Sequence, residues 1–193
     1  MEADDFWSGS TGTRLVNGRF LGVFGYAPRH FGSREALLAE YGDRLRALRG
    51  QRLRRSFALW ESRRWSPWRP WPPARHRNSW FCDGPVILDL GVTRLELAGF
   101  KFNLCVSFDL IDVAEPVEWD DLRLDWREDA LPELARLRDR TIDTVRIVED
   151  REWEVNGLQF CSGHQCVEIF NALDELGITD APEPDPDIVR VDI

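Results

Sequence analysis

Lysine is nearly absent from this chain, and cysteine is scarce. Among 193 residues, Lys101 is the only lysine, and arginine supplies every other basic side chain. Such a bias is typical of a GC-rich genome, so the number of arginines does not by itself indicate a binding site. The four cysteines, Cys82, Cys105, Cys161 and Cys166, are too few and too scattered for the disulfide framework of a small secreted protein. We therefore expect a reducing, cytoplasmic location.

Long apolar runs are missing as well. No stretch approaches the roughly 18 apolar residues that a membrane helix needs, so we expect no membrane span. Residues 1–16 hold neither a basic region nor an apolar run, and we expect no signal peptide. With 43% apolar and 31% charged residues, the chain has the composition of a globular protein rather than a disordered one.

The length suits one domain, which we expect to span residues 1–193. A domain of this size buries enough surface to fold without a metal or a disulfide. Residues 1–13 are acidic and then rich in glycine, serine and threonine, which predicts a loose N-terminus. Residues 179–187 are acidic and proline-rich, which predicts an extended tail.

Charge is divided unevenly along the chain. Residues 1–80 carry 15 arginines and 7 acidic residues, and residues 81–193 carry 10 basic and 27 acidic residues, which together give the net charge of −9. One interpretation is that the two halves lie against each other and neutralise each other. The other is an acidic face for a basic partner, together with a basic face for an anionic one. We favour mutual neutralisation for the arginines, but the larger acidic excess predicts that some carboxylates remain exposed.

Two segments have the features of helices. Ser33 is suited to cap a helix over residues 34–49, and Gly50 is suited to end it. Within this segment, apolar side chains recur at helical spacing at Leu37, Leu38, Tyr41, Leu45 and Leu48. Pro132 fits the first turn of a short second helix over residues 132–138.

The rest of the chain is dominated by strand patterns. Residues 101–110 alternate, with Phe102, Leu104, Val106, Phe108 and Leu110 on one side and polar residues or Cys105 on the other, which predicts a half-buried antiparallel strand. Similar patterns predict strands at residues 20–26, 53–60, 86–90, 94–98, 122–126, 141–149 and 188–193. The sum is an α+β fold, a mainly antiparallel twisted sheet with the 34–49 helix packed on it.

Residues 157–170 predict a β-hairpin with its loop at residues 162–165. In that register Phe160 faces Val167 and Leu158 faces Ile169 on one side, while Cys161 faces Cys166 on the other. After the hairpin, we expect Asn171 to cap a short helical turn that stops at Gly177.

The pattern Cys161-x-x-His164-x-Cys166 is a candidate for redox or metal chemistry. Facing Cβ atoms in adjacent strands lie about 5 Å apart, which suits a disulfide or a shared zinc ion. His164 would be a third zinc ligand, with Cys82, Cys105 or a carboxylate as the fourth. Against zinc, there is no second paired ligand motif, and cysteine is also an ordinary strand residue. We therefore favour no cofactor, with zinc as the alternative.

Residues 65–73 (WSPWRPWPP) are unusual. In polyproline II, which repeats about every three residues, Trp65, Trp68 and Trp71 would form a stripe on one face. The stripe either covers an open edge of the core or binds a ligand. Arginines interleave with tryptophans over residues 63–80, which suits single-stranded nucleic acid. The acidic isoelectric point of about 4.9 opposes that partner.

The order of motifs FCDGPVILDLG, LELAG, EPVEW, LRLDW, LPEL and VEIFNALDELG resembles small bacterial proteins of uncharacterised function, over about residues 44–178. Some proteins of this size and acidity are immunity partners of bacterial toxins. The resemblance implies no catalytic residues.

Motifs for nucleophilic catalysis, phosphate binding and metalloprotease chemistry are all missing from the sequence. We therefore expect a non-enzymatic protein-binding module, for example an immunity protein that neutralises a basic toxin. The expected partner-binding carboxylates are Asp109, Asp112, Glu115, Glu118, Asp120, Asp121, Asp174 and Glu175. The alternatives are a thiol or metal protein that uses Cys161, His164 and Cys166, and a single-strand binder that uses residues 63–80.

Overall fold

The computed structural model describes residues 18–61, 74–76, 79–119, 122–151, 154–173, 175–182 and 184–193. These residues form two seven-stranded sheets and a two-stranded hairpin, all antiparallel. Strands are numbered along the chain. In spatial order the first sheet consists of Val117–Trp119 (β10), Leu122–Glu128 (β11), Arg55–Glu61 (β4), Val86–Asp89 (β7), Arg94–Phe100 (β8), Asn103–Phe108 (β9) and Arg29–His30 (β3).

The second sheet is built mainly from the C-terminal part of the chain. In spatial order it consists of Ile188–Asp192 (β16), Thr144–Asp150 (β12), Glu154–Ser162 (β13), Gln165–Asn171 (β14), Leu176–Thr179 (β15), Ser79–Cys82 (β6) and Ala74–His76 (β5). The separate hairpin joins Arg19–Phe20 (β1) to Val23–Phe24 (β2).

The two sheets pack face to face and share one apolar core. Every second side chain of a strand points inward, and the inward residues of both sheets belong to a single buried cluster. Its members include Leu95, Leu97, Leu104 and Val106 from the first sheet and Leu158, Phe160, Val167 and Ile169 from the second. The prediction of a mainly antiparallel sheet protein is confirmed, with two sheets where one was expected.

Both predicted helices are present, but they are shorter than expected. Helix α1 spans Arg34–Arg46, and the Ser33 hydroxyl caps it by accepting the Ala36 N–H at 3.2 Å. Tighter turns follow it as far as Gly50, whose φ of 83° ends the segment. Helix α2 spans Pro132–Ala135 and also continues as tight turns. In the described part of the chain, neither helix has the length and apolarity to cross a membrane.

The predicted half-buried strand at residues 101–110 is wrong in two respects. Residues 101–102 form the turn between β8 and β9, which leaves Phe102 58% exposed, and Leu110 lies beyond the strand at 47% exposure. Cys105 and Ser107, expected on the wet side, are fully buried. The reason is a second apolar layer, in which the β1–β2 hairpin and the segment after β9 cover the outer face of the first sheet. This layer contains Phe20, Val23, Tyr26, Ile111 and Val117.

The predicted register of the β13–β14 hairpin is confirmed, including the pairs Phe160–Val167 and Cys161–Cys166. The loop is shorter than predicted, because Ser162 pairs with Gln165 and only Gly163 and His164 form the turn. The helical turn expected after Asn171 is wrong, because β14 runs through Asn171 and the chain reverses directly into β15. The Asn171 side chain is buried and donates to the Lys101 carbonyl at 2.9 Å, so it ties the two sheets together instead of capping a helix. The expected final edge strand is β16.

Candidate functional site

The β1–β2 hairpin presents one aromatic ring to solvent. Its turn residues 21–22 both have positive φ, 49° and 79°, which is the pattern of a type I′ hairpin turn. Side chains alternate along the two strands, so Phe20 and Val23 point at the first sheet and are buried. Phe24 points away from the sheet and is 69% exposed.

Arg19 connects this ring to an acidic segment. Its Nη2 donates to Glu118 Oε2 at 2.9 Å, and its guanidinium carbon lies 5.7 Å from the centre of the Phe24 ring. The backbones of the β1–β2 turn and of β10 are also joined here, because the Glu118 N–H donates to the Gly22 carbonyl at 3.1 Å. Phe24 and Glu118, whose side chain is 67% exposed, therefore belong to one surface.

The segment that leads to Glu118 carries negative charge only. Residues 109–118 contain four acidic residues and no basic one. Asp112 and Glu115 are exposed, and they lie at the two ends of a turn in which Asp112 Oδ1 accepts the Ala114 N–H at 2.9 Å. We call Phe24, Asp112, Glu115 and Glu118 the Phe24 surface.

A buried polar cluster fixes the start of this segment. Glu96 is fully buried, and its Oε1 accepts the N–H groups of Leu110 at 2.8 Å and Ile111 at 2.6 Å. Its Oε2 accepts the Ser107 hydroxyl at 2.5 Å, and Ser107 Oγ lies 3.4 Å from the Tyr26 hydroxyl. Burial raises the pKa of Glu96, although its three hydrogen bonds act to lower it. The cluster joins the sheet to both segments that form the Phe24 surface.

Asp109, one of the predicted partner-binding residues, has a local role. Its φ is 60°, its carboxylate accepts the Arg94 N–H at 2.7 Å and the Thr93 hydroxyl at 3.2 Å, and it pairs with Arg44. These contacts hold the ends of β8 and β9 against α1. We therefore leave Asp109 out of the Phe24 surface.

Arginines of the first half pair with carboxylates of the second half, which is the compensation that the charge distribution predicted. The pairs are Arg19–Glu118, Arg34–Glu149, Arg44–Asp109, Arg55–Asp89 and Arg55–Glu128. Asp112 and Glu115 stay exposed, as expected for the remaining excess of acidic residues.

The other residues predicted from sequence fall in different places. Glu175 is partly buried in the turn between β14 and β15. Trp80, the last tryptophan of the 63–80 segment, is partly buried and packs against the central core. Asp120, Asp121, Asp174 and the tryptophan stripe Trp65, Trp68 and Trp71 lie outside the described residues, as do residues 1–13.

Cys161 and Cys166 form a disulfide between paired positions of β13 and β14, with Cα atoms 4.1 Å apart. Cys161 is 4% exposed, whereas Cys166 is partly exposed and His164 is exposed on the turn. Sulfur atoms bonded to each other are not thiolate ligands for zinc. Among the described residues, no three His, Cys, Asp or Glu side chains are arranged to hold a metal ion.

Beside the disulfide, Arg146 lies on the outer face of the second sheet. Its Nη1 is 3.9 Å from Cys161 Sγ and donates to Gln159 Oε1 at 3.0 Å. Its Nε donates to Asp192 at 2.6 Å. The guanidinium is therefore held against the sulfur by two further side chains.

The polar contacts continue across the sheet. Gln159 Nε2 donates to Glu168 Oε2 at 3.1 Å, and Arg190 donates to both oxygens of Glu168 at 2.7 and 3.2 Å. Gln159 and Glu168 are buried, and their polar atoms are satisfied by this network.

The remaining cysteines are chemically shielded. Cys82 and Cys105 are buried and free. Burial raises the pKa of Cys105 to about 12 and raises the pKa of Cys82 even further above its usual range. Neither is a thiolate near neutral pH.

Sequence reasoning missed Phe24, Glu96 and Arg146. For Phe24 there was a signal, since the two-residue turn Leu21–Gly22 between alternating residues is compatible with a hairpin. For Glu96 and Arg146 no local signal exists, because their partners lie on neighbouring strands or in the segment after β9, at least 11 residues away in sequence. No family model, curated protein or solved structure matches this chain.

Proposed function

We propose that this chain is a protein-binding module that uses the Phe24 surface to bind a basic partner. The observation that carries the proposal is an exposed aromatic ring that Arg19 joins to Glu118, at the end of a segment whose Asp112 and Glu115 are also exposed. Aromatic side chains supply much of the binding energy at protein interfaces when they enter a pocket of the partner. Phe24 is anchored by its hairpin and by Arg19, so binding would cost little ordering of the chain.

The charge of the surface indicates the chemistry of the partner. Asp112 and Glu115 are exposed and no basic residue lies between residues 109 and 118. A positively charged partner would be attracted before contact, and the attraction would weaken as salt screens it. We therefore expect a partner with a basic surface that surrounds an apolar pocket.

Cross-linking at a single position tests this directly. We expect a photoreactive phenylalanine analogue at position 24 to capture a basic protein in cells. The same analogue at position 92, where Val92 is 86% exposed in the turn between β7 and β8, should not capture it. Equal capture at both positions, or capture at neither, would count against the surface.

The captured protein, once purified, allows a quantitative test. We expect Phe24→Ala to weaken its affinity by about thirtyfold or more, since anchor side chains contribute about 2 kcal/mol or more. Val92→Ala is the matched control and should leave the affinity unchanged. If F24A binds as tightly as the unaltered chain, Phe24 is not the anchor.

An immunity protein that neutralises a basic toxin would be one case of such a module. The acidic character of the surface supports this case, and the activity of the captured partner tests it. If the captured protein is toxic when expressed alone, co-expression with this chain should restore growth, and co-expression with F24A should restore it less. A captured protein without toxicity would exclude the immunity role while leaving the binding module intact.

A further inference from the structure

We propose that the Cys161–Cys166 disulfide is a reversible thiol–disulfide exchange site, in which Cys166 is the sulfur that is attacked and Cys161 is the leaving thiolate beside Arg146. This inference is independent of the Phe24 surface. Its ligand class is a low-molecular-weight thiol or the corresponding disulfide.

The two sulfurs differ in access. Cys161 is buried and Cys166 is partly exposed next to the two-residue turn that carries Gly163 and His164. Gly163 has φ 59°, and its N–H is held by Asp143 Oδ2 at 2.7 Å, so the turn is fixed and does not fold over the disulfide. An incoming thiolate therefore reaches Cys166 more easily than Cys161.

The two sulfurs also differ in electrostatics. Arg146 lies 3.9 Å from Cys161 Sγ, and Asp192 and Gln159 hold it there. A fixed guanidinium at this distance stabilises a thiolate over a thiol, and a stabilised thiolate is the better leaving group. The other charged groups around the pair are Glu168, which Arg190 neutralises, Asp192, which is exposed and pairs with Arg146, and Asp143, whose carboxylate accepts the Gly163 N–H.

The exchange proceeds in two balanced steps. A thiolate of the small molecule attacks Cys166 Sγ, the Cys166–Cys161 bond breaks, and its electron pair leaves on Cys161 as a thiolate. This gives a mixed disulfide on Cys166. A second small-molecule thiolate attacks the outer sulfur of that mixed disulfide, releasing the oxidised small molecule and a Cys166 thiolate that takes up a proton. The protein gains two electrons, and two small thiols are oxidised to one disulfide.

The fold around the pair does not depend on the bond. The pairs Leu158–Ile169 and Phe160–Val167 bury the other face of the same hairpin, and β12 and β15 flank it on both sides. The two sulfurs can separate or rejoin while the strands stay in register. The buried Cys82 and Cys105 do not compete for the small molecule.

Glutathione buffers test the exchange on the folded chain. We expect the fraction of dithiol, measured by alkylation and mass spectrometry after acid quench, to follow the ratio of reduced to oxidised glutathione in both directions, with an unchanged circular dichroism spectrum. In Cys161→Ser, oxidised glutathione should form a mixed disulfide on Cys166. Reduction only in denaturant, or no mixed disulfide in Cys161→Ser, would overturn the proposal.

The role of Arg146 needs a separate measurement. In Cys166→Ser, the ultraviolet absorbance of the Cys161 thiolate against pH gives its ionisation midpoint. We expect Arg146→Gln to raise that midpoint by about one pH unit or more. Arg146→Lys keeps the positive charge, so its midpoint should be close to that of the chain with Arg146. Arg151→Gln, which removes an exposed arginine that follows β12 and pairs with Asp187, is the control and should leave it unchanged. Equal midpoints in R146Q and R151Q would show that Arg146 does not stabilise the thiolate.

Discussion

At the scale of single residues, Glu96 shows how burial couples stability to pH. Its carboxyl group is fully buried, and burial raises its pKa. The folded state therefore holds the proton more tightly than the unfolded chain does. The stabilisation from this group is complete below the ordinary glutamate pKa and is lost as the pH rises through the raised folded pKa.

The Glu96→Gln variant isolates this effect, because it keeps the shape of the side chain and removes the titration. We expect the free energy of unfolding of the unaltered chain, relative to E96Q, to fall as the pH rises from about 4 to about 8. Urea unfolding at a series of pH values measures it. A difference that stays constant across this range would show that the Glu96 proton is not linked to folding.

Gly99 shows why one position in β8 tolerates no side chain. An added Cβ would collide with the carbonyl oxygen of Glu175, which lies in the turn between β14 and β15 of the opposite sheet. We expect Gly99→Ala to lower the free energy of unfolding by about 2 to 3 kcal/mol, because the sheets would have to separate. Chemical denaturation measures the loss.

Gly42 is the matched control. It lies inside α1, and the nearest atoms to an added Cβ are those of the flexible Arg46 guanidinium, at 3.2 Å. We expect Gly42→Ala to raise the free energy of unfolding by about 0.5 to 1 kcal/mol, the usual gain inside a helix. If both glycine variants lose stability equally, close approach of the two sheets is not what restricts Gly99.

At the scale of elements, the β13–β14 hairpin is stable for reasons that its disulfide only supplements. The cross-link joins residues five apart in sequence, so it closes a short loop. We expect the variant with both Cys161→Ser and Cys166→Ser to remain folded and to lose about 2 kcal/mol of unfolding free energy. Thermal unfolding with and without a reducing agent checks this, since the reducing agent should affect only the unaltered chain. An unfolded double variant would contradict it.

The same hairpin shows what a sequence pattern can predict. Its register follows from residues that face each other across one short turn, so local alternation was enough to place Phe160 opposite Val167. In β9, the alternating pattern predicted that one face of the strand is exposed to solvent, and this prediction is wrong. The cover over Cys105 and Ser107 comes from a distant hairpin whose own apolar residues are few. The prediction for Asn171 failed for a similar reason. An asparagine side chain can cap a helix, or it can donate a hydrogen bond to the other sheet as Asn171 does, and the local sequence does not distinguish these roles.

At the scale of the whole molecule, charge is compensated both between the two halves of the chain and within each half. Arginines before residue 81 pair with carboxylates after it, and Asp112 and Glu115 remain exposed. The imbalance was visible in the sequence. The sequence did not show which carboxylates remain exposed, because that depends on which of them the fold brings close to arginines such as Arg44.

This remaining charge predicts the kinetics of binding. We expect Glu115→Lys to slow association with the captured basic partner by about three- to tenfold at low salt, and the difference to shrink at high salt. Asp43→Lys changes the net charge equally at a fully exposed position on α1 and is the control. Stopped-flow measurements of the association rates of both variants separate a local effect at Glu115 from an effect of net charge. A similar slowing in both variants would indicate an effect of net charge alone.

The path of the chain between the sheets has a consequence for cooperativity. β6 belongs to the second sheet, yet the next strand along the chain, β7, lies in the middle of the first. No single cut can divide the polypeptide into one piece per sheet, because a C-terminal fragment would lack the neighbour of β15 and an N-terminal fragment would carry two orphan strands. We therefore expect denaturant to unfold both sheets in one transition, with no intermediate in which one sheet is folded and the other is unfolded.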